Sequence, residues 1–162
     1  MANEKTISSA FDKNTNFGYP SIDKPWLKYF SDEAQKVNIP NVSAYEYLYN
    51  CNKENLGAYA INFYGNRIKF SELFRKIGEA EQSLIALGIQ RGEYVTFCMP
   101  TLPETIFLFY ALNKLGVVAN FVDLRMNKER IAQYINMTKS HLVIAFHGVV
   151  EKVYSIDEFL NI

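Results

Sequence analysis

Residues 88–123, GIQRGEYVTFCMPTLPETIFLFYALNKLGVVANFVD, read as turn, strand, loop, helix, turn, strand. Thr96-Phe97-Cys98-Met99 is a short apolar run behind Arg91-Gly92-Glu93, and such a run suits a buried strand. Thr101 and Glu104 stand at capping-box spacing, and Pro103 falls in the first helical turn, where its missing N–H breaks no bond. From Ile106 to Leu112 the helix is apolar on every face, so it is expected to be covered on all sides. Gly116 stands where the helix needs a left-handed closing residue. Val117, Val118, Phe121 and Val122 follow as a second buried strand. Strand, crossover helix and strand make a βαβ unit, and a right-handed crossover sets the two strands parallel.

On the amino-terminal side, Leu73, Phe74, Ile77, Ala80, Leu84 and Leu87 recur at three- and four-residue steps. They predict an amphipathic helix that starts at an N-cap on Ser71, carries Glu72 in its first turn and closes at Gly88. Ahead of it, residues 58–64 and 67–70 flank Gly65-Asn66, a two-residue turn signal, and predict a β-hairpin with Ile68 and Phe70 on one face. Ser43 and Glu46 predict a capping box on a helix from Ala44 to about Asn52, with Tyr45, Leu48, Tyr49 and Asn52 on one side. Residues 1–20 are polar and aperiodic, and are expected to form a flexible or docked arm, with residues 21–162 as the folded part. Pro25-Trp26-Leu27-Lys28-Tyr29-Phe30 holds the single Trp, either as an anchor for the arm or as an interaction patch.

Beyond residue 123, Asn127 is expected to cap a helix with Ile131, Tyr134, Ile135 and Thr138 on one side. Residues 141–146 form a third buried strand, and residues 149–156 a possible further one. The fold class is therefore α/β: a mainly parallel sheet flanked by helices, with an amino-terminal β-hairpin.

The totals narrow the function. A chain of 162 residues with 49% apolar and 15% aromatic side chains can bury a core. Seventeen basic and seventeen acidic residues cancel, so there is no electrostatic footprint for nucleic acid or an anionic membrane. The apolar run at Ile106–Leu112 is too short for a transmembrane segment. The amino terminus has no apolar core of a signal peptide, and Cys51 and Cys98 make no disulfide framework. Cytoplasmic residence is the expectation.

The stretch from Leu87 to Val118 is similar to the amino-terminal part of the adenylate-forming (AMP-binding) superfamily. That superfamily comprises acyl-CoA synthetases, including the long-chain fatty acid–CoA ligase type, luciferases and peptide-synthetase adenylation domains. Leu87-Gly88-Ile89, Arg91-Gly92-Glu93, Pro100, Pro103-Glu104, Ala111 and Gly116 occupy the places of the family pattern. Thr101 stands where the family commonly has Asn, and Val122-Asp123-Leu124-Arg125 replaces a Pro-containing loop. Pro25-Trp26-Leu27-Lys28-Tyr29 also resembles the leader of bacterial acyl-CoA synthetases. The resemblance implies an ATP-dependent carboxylate–CoA ligase that forms an acyl-adenylate and then an acyl-CoA, with ATP, Mg and CoA as its cofactors. It covers about residues 24–160 here but only the opening third or less of such an enzyme.

The family's Ser/Thr/Gly-rich phosphate loop ending in Pro-Lys-Gly does not occur in the sequence, nor does G-x-G-x-x-G or the Walker pattern. Adenylation needs donors and cations focused on phosphates. The chain alone is therefore expected to be inactive, with no catalytic, cofactor-binding or metal residue of its own. His141 and His147 lack metal-ligand spacing and are expected at strand ends or on the surface. Cys98 is expected to be a silent buried thiol. Asp123 and Arg125 lie at the carboxyl end of a strand, where open α/β sheets bind ligands, and are expected to form a structural ion pair or a loop hydrogen bond. Three readings stand: a ligase fragment whose partner is the rest of the parent enzyme, a non-catalytic binding or scaffold module, and an unrelated doubly wound ligand-binding domain. A fragment would expose apolar surface and self-associate.

Overall fold

In the computed structural model of the chain, residues 18–149 are described. The expected strand over 149–156 and the residues after it lie outside them, apart from Val149, which ends a short 3-10 turn from His147. The chain divides into two compact units at residue 40. In the first, Pro20–Asp23 (α1), a 3-10 turn Pro25–Tyr29 and Asp32–Gln35 (α2) follow one another. Ser31 caps α2 by accepting from the Ala34 N–H.

The second unit carries the sheet. Ala44–Asn52 (α3) starts on the expected capping box: Ser43 Oγ accepts from Glu46 N at 3.1 Å while Glu46 accepts from Ser43 N at 2.8 Å. Tyr59–Phe63 (β1) and Asn66–Lys69 (β2) pair antiparallel as the expected hairpin, but the turn is Tyr64-Gly65, one residue earlier than the Gly65-Asn66 reading. Both turn residues have positive φ, 49° and 89°, the conformation of a two-residue turn that follows strand twist. Asn62 stays in β1 and its Oδ1 accepts from Gly65 N, while Tyr64 lays its ring edge-on against Phe63.

Phe70–Ala86 (α4) begins one residue before Ser71, so Ser71 is not its cap. The first helical N–H groups are taken by backbone: Phe70 N donates to Ala58 O and Ser71 N to Leu56 O. Leu73, Ile77 and Leu84 are buried as the stripe predicts, but Leu87 is 66% exposed because the helix has ended before it.

Tyr94–Cys98 (β3), Pro103–Leu115 (α5) and Val118–Phe121 (β4) are the central unit, and β3 and β4 are parallel. The cap of α5 departs from the expectation. Leu102, not Thr101, is the N-cap residue, and buried Thr105 reaches back: its Oγ1 accepts from Leu102 N at 3.3 Å and donates to Pro100 O at 2.8 Å. Gly116 closes α5 at φ 73°, as expected. A Cβ there would also press on the Arg91 side chain, whose Cγ lies 3.0 Å from its place.

Lys128–Thr138 (α6) starts on Asn127, whose Oδ1 accepts from Arg130 N. Leu142–Ala145 (β5) then pairs with β3, parallel, on the side away from β4. The sheet order β4-β3-β5 makes β3 central. Its side chains alternate between two cores. Val95 and Phe97 join Ile77, Leu84, Phe107, Ala111 and Leu112 of α4 and α5; Cys98 joins Val122 and the α6 residues Ile131 and Ile135. Helices thus cover both faces of a parallel sheet, as the α/β reading expects.

The expected all-round cover of α5 is incomplete. Phe107, Ala111 and Leu112 are buried, but Ile106, Phe109 and Tyr110 remain half-exposed, because the strand beneath that flank, β4, is the sheet edge. The far flank is held by α3 and α4. Tyr45 N donates to Asn113 Oδ1 at 2.8 Å, and Lys114 Nζ reaches Glu81 Oε2 at 2.5 Å.

A substitution pair separates core from surface. Leu112→Ala, at a site 0% exposed, is expected to lower unfolding free energy by about 2–5 kcal/mol in urea titrations. Leu87→Ala should change it by about 0.5 kcal/mol or less. Equal losses would contradict the position of α5 in the core.

Candidate functional site

Three parallel strands end together, and their carboxyl ends are the natural place for a ligand in such a sheet. The end of β3 runs into Pro100 and Thr101. The end of β4 is pinned by Val122 N donating to Phe97 O at 2.9 Å, and that of β5 by Phe146 N donating to Cys98 O at 3.0 Å. Asp123, Arg125 and His147 therefore come to the same edge of the sheet as Thr101.

Asp123 and Arg125 form the expected ion pair. Arg125 Nη2 lies 2.6 Å from Asp123 Oδ2, Nε lies 3.0 Å from Oδ1, and the Arg125 N–H donates to Oδ1 at 2.9 Å. These charge-assisted bonds hold the Asp123 carboxyl down at about 2, below its ordinary 3.8. The pair is solvent-exposed and its partners are satisfied locally, which is the bond pattern of a loop clasp.

The other candidates do not converge. His141 sits at the start of β5, at the opposite end of the sheet from His147, with Nε2 3.6 Å from Glu93 Oε2. Among the described residues no group of three or more His, Cys, Asp or Glu side chains could hold a metal ion. Cys98 is 0% exposed and packs toward α6, while Cys51 is exposed; neither is bridged.

Two concavities were not legible in the sequence. A groove of about 420 Å³ lies between α5 and the sheet edge, lined by Thr101, Thr105, Ile106, Phe109, Tyr110 and Phe121. It carries no charge and sits beside the strand ends. A polar cleft of about 630 Å³ lies at the other end of the sheet, among the first turn of α3, Arg91, Asn113, Lys114 and Gly116. The run Ile106–Leu112 signalled burial all round, so nothing in it marked which flank stays open.

Comparison with known proteins fits this geometry. The sequence pattern described as AMP-binding enzyme matches residues 49–161, well over half of the chain. The chain belongs to the AMP-binding enzyme family. Within that family it is 32% identical over 95 residues to a 2-succinylbenzoate–CoA ligase of Listeria monocytogenes, covering 58% of this chain and 20% of the relative. It is 28% identical over 134 residues to an acetyl-coenzyme A synthetase of Streptomyces avermitilis, covering 76% of this chain and 19% of the relative. The crystal structure of a benzoate CoA ligase from Burkholderia xenovorans superposes with TM-score 0.68 at 19% identity, over 72% of this chain and 24% of that one. The chain thus spans about a fifth of the length of these curated relatives.

The clasp yields a titration test. A folded-state value below the unfolded one means that the pair stabilises the fold above the ordinary carboxylate range and loses that contribution as pH falls toward 2. NMR titration of the Asp123 carboxyl carbon should give a midpoint near 2, returning toward 3.8 in Arg125→Gln. An unchanged midpoint in that variant would show that Arg125 is not the cause.

Proposed function

We propose that this chain is the amino-terminal subdomain of an ATP-dependent carboxylate–CoA ligase, an enzyme that couples an acid to AMP with loss of pyrophosphate and then passes the acyl group to CoA. The observation that carries the reading is the family match over residues 49–161 on a sheet with helices on both faces. In this reading residues 41–162 supply scaffold, and the groups that contact ATP, Mg and CoA reside in the rest of the parent enzyme, which is the chain's principal partner. Relatives named for different acids share this portion, so acid choice is assigned to residues elsewhere. Cytoplasmic residence is part of the proposal and is supported by the two unbridged cysteines, one of them exposed.

The strand-end residues support a scaffold role. Asp123 and Arg125 satisfy one another, and Thr105 is spent on holding Leu102 and Pro100. General acid–base or nucleophilic chemistry needs a reacting group within reach of a partner that takes its proton, and these residues are not arranged that way. The uncharged groove beside α5 favours a second reading, a binding or scaffold module built on the ligase fold.

Pyrophosphate exchange and pyrophosphate release assays on the purified chain, with ATP, Mg and a panel of carboxylic acids, should stay at background. Turnover with any acid would refute the scaffold role. Reading the gene beyond Ile162 separates the two readings. A continuing frame with a Ser/Thr/Gly-rich run ending in Pro-Lys-Gly supports the ligase; a stop codon supports the module.

A further inference from the structure

The outer edge of β4 is short, four residues, but among the described residues it has no charge, no proline and no bulge to keep another strand from pairing with it. Val118 N donates to Glu93 O at 2.8 Å and Val122 N to Phe97 O at 2.9 Å, so the even-numbered residues of β4 face β3. By alternation, the N–H and C=O groups of Ala119 and Phe121 point outward. Among the described residues no strand pairs with that side. Natural edges are usually protected by a charge, a proline or a bulge. The β4 sequence Val-Ala-Asn-Phe has no charge and no proline, and its register with β3 runs without a bulge. Val118 and Phe121 on it are 43% and 55% exposed. The hairpin, by contrast, is guarded by Arg67 and Lys69 on β2 and by a register shift in β1.

We propose that this edge binds a second copy of the chain, β4 against β4, antiparallel about a two-fold axis through Asn120. In that register Ala119 of each copy stands opposite Phe121 of the other, and each such pair exchanges two backbone hydrogen bonds. The side chains fit the same way. Ala119 and Phe121 both lie on the α5 face, Ala119 packed into that core and Phe121 stacked on Phe97 at 4.9 Å. Each large ring therefore meets a small methyl across the axis. No like charges confront one another, because neither β4 nor the groove lined by Ile106, Phe109 and Tyr110 carries an ionisable group other than the Tyr110 phenol. A charged peptide would find no counter-ion here, whereas a copy of the same uncharged strand meets its own complement. The inference goes beyond the ligase reading and does not depend on it.

Sedimentation equilibrium of the full 162-residue chain over a hundredfold concentration range, with backbone hydrogen exchange at both ends of it, tests the proposal. Two variants act on the edge and leave the backbone bonds between β3 and β4 in place. Ala119→Pro removes an outward N–H, a loss that edge strands tolerate, and breaks no bond to β3. Val118→Lys places an ammonium on the exposed side of the strand. The wild-type chain should dimerise, and the Ala119 and Phe121 amides should exchange more slowly at high concentration while those of Val118 and Asn120 do not change. Each variant that keeps the wild-type circular dichroism should raise the dissociation constant about tenfold or more. A monomer at every concentration would overturn the proposal. So would a dimer that survives in Val118→Lys, or concentration-dependent protection confined to other amides.

Discussion

Burial of β3 on both faces is the constraint on which the rest of the structure depends. Val95, Thr96, Phe97 and Cys98 are all 0% exposed. A strand in that position needs cover above and below, and only helices returning the chain to parallel neighbours provide it. Val95 and Phe97 therefore demand α4 and α5 on one side, and Cys98 demands α6 on the other. The polar member of the run, Thr96, is not left unsatisfied: its Oγ1 accepts from Asn120 Nδ2 at 3.0 Å, tying the central strand to β4. The same Asn120 amide reaches Thr138 at the end of α6 at 3.4 Å, so one side chain links two strands and a helix.

The parts that could be read from the sequence were those specified by residues close in the chain. The Ser43–Glu46 box and the Asn127 cap each join residues three apart, and the structure has both. The hairpin was legible as an element, but its turn was not, because Asn62 rather than Asn66 supplies the side-chain bond that stabilises the bend. Ser71 looks like a cap because its residue type suits one. In the fold Ala58 and Leu56 deliver their carbonyls to the start of α4, and that contact depends on the hairpin having closed. Thr105 likewise takes over from Thr101 because its hydroxyl can serve Leu102 and Pro100 together. The order of the sheet, with β5 crossing β3 to pair on its far side, involves pairing between residues 47 apart, such as Val95 and Leu142, and leaves no local mark.

The candidate site divides in the same manner. Asp123 and Arg125 were legible as an ion pair, since two residues of opposite charge flank one position at a strand end. The groove beside α5 was not, because it arises from β4 being an edge and not from any property of Ile106, Phe109 or Tyr110 alone. The family match runs over residues 49–161, a span that contains every strand of this sheet, and the chain covers 20% of the length of the succinylbenzoate–CoA ligase relative.

Cross-strand backbone NOEs in the isotope-labelled chain test the central strand most directly. The account predicts contacts in which numbers rise together on both sides of β3: Val95 with Ala119 and Phe97 with Phe121 toward β4, Val95 with Leu142 and Phe97 with Ile144 toward β5. Contacts running in opposite senses, such as Val95 with Phe121 and Phe97 with Ala119, would show an antiparallel ribbon and contradict it.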